Sequence, residues 1–112
     1  MTVPVIYRID PKFAQKPCFP DLVFECPGCK CEHGVWVSKK NTLGAQWTWN
    51  EDMVKPTFSP SILISWGGSG HEDVPKRVCH SFVRDGQIQF LGDCTHALAG
   101  QTVPLPPQPP EL

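Results

Sequence analysis

Polar and apolar residues alternate along much of this chain with the two-residue period of half-buried strands, and turn-forming residues cut the alternation into short pieces. The strand-like runs are Val3–Ile9, Leu22–Cys26, Gly34–Ser38, Gln46–Asn50, a short apolar run ending at Trp66, and residues 79–84 and 87–92. One helix of about one to two turns is predicted at Thr95–Gly100, with Asp93 as its cap and Gly100 as its stop. The pattern therefore predicts a mainly β fold: a small single domain of short antiparallel strands with one short helix, spanning residues 1–105. Residues 106–112, Pro-Pro-Gln-Pro-Pro-Glu-Leu, have the composition of a disordered polyproline II tail. Gly67–Pro75 reads as a surface loop, with His71 and Glu72 solvated.

The most informative run is Cys79–Gly92. Asp85-Gly86 suits a type I′ hairpin turn, whose two central residues both need positive φ. A two-residue loop sets Arg84 opposite Gln87, Phe82 opposite Gln89 and His80 opposite Leu91. The other face then carries Cys79, Ser81 and Val83 against Ile88, Phe90 and Gly92. Asp93 falls on the His80 side as a diagonal neighbour, within reach of a longer side chain.

Cys26-Pro-Gly-Cys29 sits between two predicted strands, the shape of a zinc knuckle, with Gly28 permitting the turn. A thioredoxin-like redox pair would need the first cysteine at a helix N-terminus, and a strand follows here instead. Cys26 and Cys29 supply two ligands. Cys31, His33, Cys79, His80, Cys94 and His96 are all candidates for the others, and spacing alone does not choose among them. Cys18 has no partner at ligand spacing and reads as an ordinary thiol.

Composition narrows the picture further. The chain has 112 residues with 13 Pro, 9 Gly and 6 Cys, and 40% of it is hydrophobic, so one modest core is expected and a staple would help it. A net charge of −1 gives no electrostatic footprint for nucleic acid or an anionic membrane. No apolar run approaches the about 18 residues of a membrane span. The first residues lack the basic and long apolar regions of a secretory signal. A cytoplasmic location is expected, where reduced thiols favour a metal over disulfides.

Hydrolysis by a nucleophile needs a hydroxyl or thiol, a base within reach, and a group that orients the base. The hairpin register supplies base and orienter in His80 and Asp93. The candidate nucleophiles are Ser59 and Ser61, on the proline-stiffened segment Pro56-Thr-Phe-Ser-Pro-Ser61, and Cys94 beside Asp93. His96 reads as a metal ligand, a second polar contact to the site, or a core-facing ring. Trp47 and Trp49 share one strand face and read as packing residues. The spacing required by zinc deaminases and by His-Glu-x-x-His metalloproteases is missing.

Cys26-Pro-Gly-Cys29, Pro56-Thr-Phe-Ser-Pro-Ser-Ile62, Cys79-His-Ser-Phe82 and Asp93-Cys-Thr-His-Ala-Leu-Ala-Gly-Gln-Thr-Val103 resemble a family of small phage and bacterial proteins. Its bacterial members, the BubE proteins, sit in operons for ubiquitin-like conjugation and are regarded as serine peptidases acting on the ubiquitin-like partner. The resemblance covers roughly residues 22–105. It implies a zinc-binding β-rich domain and a peptidase site on Ser61, His80, Asp93 and His96. The expectation is then a zinc-containing serine peptidase that processes or deconjugates a ubiquitin-like protein. Ser61 would be the nucleophile, His80 the base and Asp93 its orienter, with His96 helping to build the site. Zn2+ would be held by Cys26, Cys29, His33 and Cys79, the last chosen because it faces away from His80. The alternatives are a non-enzymatic zinc-stapled binding module of phage origin, and a zinc hydrolase with His80 and His96 on a catalytic metal.

Overall fold

In the computed structural model, which describes residues 4–10, 12, 15–16, 18–66 and 76–107, the alternating runs become eight strands. These are β1 (Ile6–Arg8), β2 (Leu22–Cys26), β3 (Cys31–Val35), β4 (Thr48–Trp49), β5 (Phe58–Trp66), β6 (Arg77–Arg84), β7 (Gln87–Phe90) and β8 (Thr102–Pro104). They form two antiparallel sheets, one ordered β1-β2-β3 and the other β4-β5-β6-β7-β8. Each neighbouring pair is also consecutive in the chain, so both sheets are meanders. Residues 71 and 72 and the end of the proline-rich tail lie outside the described residues.

The knuckle is tighter than the alternation alone suggests. Cys26 stands opposite Cys31, the Lys30 amide donates to the Cys26 carbonyl at 2.8 Å, and Lys30 takes a positive φ of 59°. The turn therefore closes within residues 27–30, and the returning strand begins at Cys31 rather than at Gly34. In the second sheet the β6–β7 register is the expected one, with Arg84 against Gln87 and Phe82 against Gln89. Asp85 and Gly86 have φ values of 50° and 78°, as a type I′ turn requires. Cys79, Ser81, Val83, Ile88 and Phe90 point inward and are buried. β5 begins at Phe58, earlier than the apolar run, and its pairing with β6 is irregular between Phe58 and Ile62. Pro60 falls within that irregularity, where a missing N–H leaves the ladder intact.

Two elements differ from the sequence expectation. The short helix expected at 95–100 is instead a run of turns: Ala99 N–H donates to His96 O at 3.3 Å and Gln101 N–H to Leu98 O at 3.0 Å. The Gly100 amide turns away to Phe90 O at 3.1 Å, and the Phe90 amide donates to Gln101 O at 2.8 Å. A one-turn helix gains too few bonds to offset its nucleation, and pairing with β7 competes for the same groups. The residues that follow then form β8 along the β7 edge, a strand its proline and short length hide in the sequence.

A continuous core joins the sheets: Ile6, Leu22, Phe24 and Val35 come from the first, and Phe58, Ile62, Val83, Ile88 and Phe90 from the second. Cys26 and Cys79 bridge the two, with Sγ atoms 3.8 Å apart. Gly86 holds the far end of the hairpin against the β4–β5 loop through its amide to Pro56 O, and its carbonyl accepts from Leu105 N–H just after β8, both at 3.0 Å. A Cβ there would lie 3.0 Å from the Val54 carbonyl oxygen. Gly86→Ala, at positive φ, is therefore expected to lower stability by about 1–2 kcal/mol, seen as a lower urea midpoint with an unchanged slope.

Candidate active site and metal centre

Because strand side chains alternate, β6 presents two chemistries on its two faces. His80 points outward, and its diagonal neighbour across the β5–β6 ladder is Ser61, since Leu63 pairs with His80 and Ile62 with Ser81. Ser61 Oγ lies 3.0 Å from His80 Nε2. On the other side of the ring, His80 Nδ1 lies 3.1 Å from Asp93 Oδ2. An ionised carboxylate only accepts, so Nδ1 carries the proton and Nε2 is left as the acceptor facing the serine hydroxyl. The imidazole is 25% and the carboxylate 56% exposed. This is a shallow site on an open sheet face.

Other candidates fall elsewhere. Ser59 is exposed and no hydrogen bond joins its hydroxyl to His80 among the described residues. Cys94 is 8% exposed and is spent on the His80 backbone: its Sγ accepts from His80 N–H and its S–H donates to His80 O, each at 3.2 Å. Trp47, taken as a packing residue from its pattern, also donates through Nε1 to the Ser61 carbonyl at 3.2 Å. That bond depends on the β4–β5 pairing, which strand spacing cannot reveal. Thr95 ties the segment after Asp93 to β6, its amide donating to Val78 O at 2.9 Å and its hydroxyl accepting from Val78 N–H at 3.0 Å.

His96 does not join this line. Its ring meets Phe90 edge-on at 4.4 Å and rests on Gly28, where a Cβ would come within 2.3 Å of the ring. It belongs to the inward side of the hairpin, because Asp93 and His96 leave the turn in opposite directions. His80, for its part, is in neither donor group found among the described residues, so a metal held jointly by His80 and His96 has no support here.

The inward face of β6 meets the knuckle. One donor atom each from Cys26, Cys29, His33 and Cys79 lies within 4.8 Å of all the others, a group that can hold a metal ion. Cys31, one residue beyond the turn, is exposed and outside the group. His33 is 5% exposed, and its Nε2 is buried with no hydrogen-bond partner. Without a cation the sulfurs must share protons. The hydrogen bond with Cys79 holds Cys26 down to about 4, and that same bond pushes the Cys79 thiol up. Burial, then the charge of Cys26, pushes Cys29 up to about 12. Of the three sulfurs, Cys26 is the one held toward the thiolate, and Cys29 and Cys79 are held toward the thiol.

The model of a family described as bacterial ubiquitination-like system serine protease, BubE, matches residues 10–91. The chain belongs to the BubE family. The matched span includes Ser61, His80 and all four donors of the candidate metal centre, and stops short of Asp93 and His96. No curated protein and no solved structure matches.

A thiophilic dication entering the cluster must displace the protons on Cys29 and Cys79. Calorimetric titration of the metal-free chain, repeated in buffers of different ionisation enthalpy, is expected to report proton release on binding near neutral pH. Occupancy should fall as pH is lowered, because protons then compete for the same sulfurs.

Proposed function

We propose that this BubE-family protein is a serine peptidase that trims or deconjugates a ubiquitin-like protein. The observation that carries the reading is the unbroken line from Ser61 Oγ to His80 Nε2 at 3.0 Å and from His80 Nδ1 to Asp93 at 3.1 Å. In this reading Ser61 attacks the scissile carbonyl while Nε2 takes the hydroxyl proton. Asp93 holds the ring in the tautomer that leaves Nε2 free, and steadies the imidazolium that forms. Nε2 then returns the proton to the departing amine, and a water molecule repeats the sequence to release the acyl group.

Zinc is the ion we assign to Cys26, Cys29, His33 and Cys79. Two thiolates on one tetrahedral zinc with bonds of about 2.3 Å stand about 3.8 Å apart, the separation of Cys26 Sγ and Cys79 Sγ being 3.8 Å. An unpartnered buried imidazole nitrogen completes the donor set. Four protein donors leave no open position, so the ion's role is to cross-link the two sheets. His96 would contribute to the site only from behind. The reducing cytoplasm is the compartment this thiol-rich centre suits.

The test is cleavage of a panel of C-terminally extended ubiquitin-like proteins, read by intact mass. Cleavage after the terminal glycine of the ubiquitin-like fold is expected, lost in Ser61→Ala. Asp93→Asn should lower kcat roughly 10²–10⁴-fold, the range for losing general acid–base function. Cleavage that survives Ser61→Ala would remove the assigned nucleophile. A folded, zinc-loaded wild type that cleaves no member would favour the binding-module reading instead.

A further inference from the structure

The segment after Asp93 brings two more donors to the far side of Cys79. The sulfurs of Cys79 and Cys94 and a ring nitrogen of His96 lie within 4.8 Å of one another, as do the four donors of the first centre. Cys79 belongs to both groups. His96 Nε2 is buried and has no hydrogen-bond partner, whereas buried polar atoms nearly always have one. The seat for this ring is made by the knuckle itself: a Cβ on Gly28 would lie 2.3 Å from Cε1, 2.5 Å from Nε2 and 2.6 Å from Nδ1 of His96. The turn that carries Cys26 and Cys29 therefore leaves room for an imidazole beside their centre.

We propose that a second thiophilic cation binds Cys79, Cys94 and His96, sharing the Cys79 thiolate with the first. The protonation states allow it. As a thiolate, Cys94 gives up its donation to His80 O but keeps the N–H of His80 at 3.2 Å. The His80 carbonyl keeps the Leu91 amide at 2.9 Å. Neither group is left unpaired. Ligation through Nε2 moves the ring proton of His96 to Nδ1, so the ring gains the ion at Nε2 and gives up the 3.2 Å hydrogen bond that Nδ1 accepts from the Leu98 amide. Two thiolates and an imidazole suit Zn2+ and softer ions such as Cu+ or Cd2+, and do not suit Mg2+ or Ca2+. Three protein donors leave a position for water or an external ligand. The second ion fastens residues 94–96 to β6 directly behind the Asp93–His80 pair, and this assignment does not depend on the peptidase reading.

The experiment counts bound ions by native mass spectrometry on the full chain saturated with Zn2+, with near-UV circular dichroism as the check on folding. Two ions per wild-type chain are expected. Cys94→Ala and His96→Ala should each retain one. Gly28→Ala removes no donor, yet its Cβ occupies the space of the imidazole, and it too should retain only one. Cys31→Ala, at an exposed cysteine outside both groups, should keep two. A single ion on the saturated wild type overturns the assignment, and so does a second ion that persists in both Cys94→Ala and His96→Ala.

Discussion

The contact on which the molecule depends is the one between the Cys26 and Cys79 sulfurs, where the three-stranded sheet meets the five-stranded one. Strands of three to five residues cannot bury enough apolar surface to hold a separate three-stranded sheet. The side chains of Ile6, Leu22, Phe24 and Val35 find cover in a core shared with the second sheet. At the centre of that shared core lie polarisable, ionisable sulfurs in place of more hydrocarbon. The hydrogen bond to Cys26 raises the pKa of the Cys79 thiol, and burial raises that of Cys29. A dication would reverse that preference and turn a packing contact into a cross-link.

The pleat of β6 carries this constraint to the opposite face. Cys79 is fixed in the core, so His80 must point outward, and the β5 ladder then fixes which serine it meets. Asp93 and Cys94 repeat the arrangement in the segment after β7: the carboxylate reaches the His80 ring while the thiol holds the His80 backbone. The Ser61–His80–Asp93 line is thus positioned from behind, by the sheet and its sulfurs. It is not enclosed by walls.

That openness has a chemical consequence. Leu63, paired with His80, is 59% exposed, and Phe82 is half-buried on the same face. A site this shallow does not exclude water by itself, so the body of the bound substrate would have to cover it. On the proposed reading a folded ubiquitin-like partner lies across the sheet and its extended C-terminus reaches Ser61. A free short peptide would leave the same groups wet.

The sequence by itself determined the faces. A period of two, ended by a type I′ turn at Asp85-Gly86, sets which residues of β6 and β7 look inward, so the separation of Cys79 from His80 and the approach of Asp93 to His80 were legible. The Cys-x-x-Cys turn, with Cys26 and Cys29 as two of the donors, was legible from local turn geometry, whereas the choice of His33 and Cys79 to complete the group was not. Only the tertiary structure decided what meets across elements. Ser61 rather than Ser59 reaches the ring because β5 pairs with β6 through Leu63–His80 and Ile62–Ser81, a register that no local pattern encodes. His96 turned to the sulfurs, and its expected helix gave way to turns, because the backbone of β7 competed for the same amides. β8 exists because that edge was available. Periodicity records the direction of each side chain along one strand. Distance between strands depends on pairing, and pairing is settled by the whole core at once.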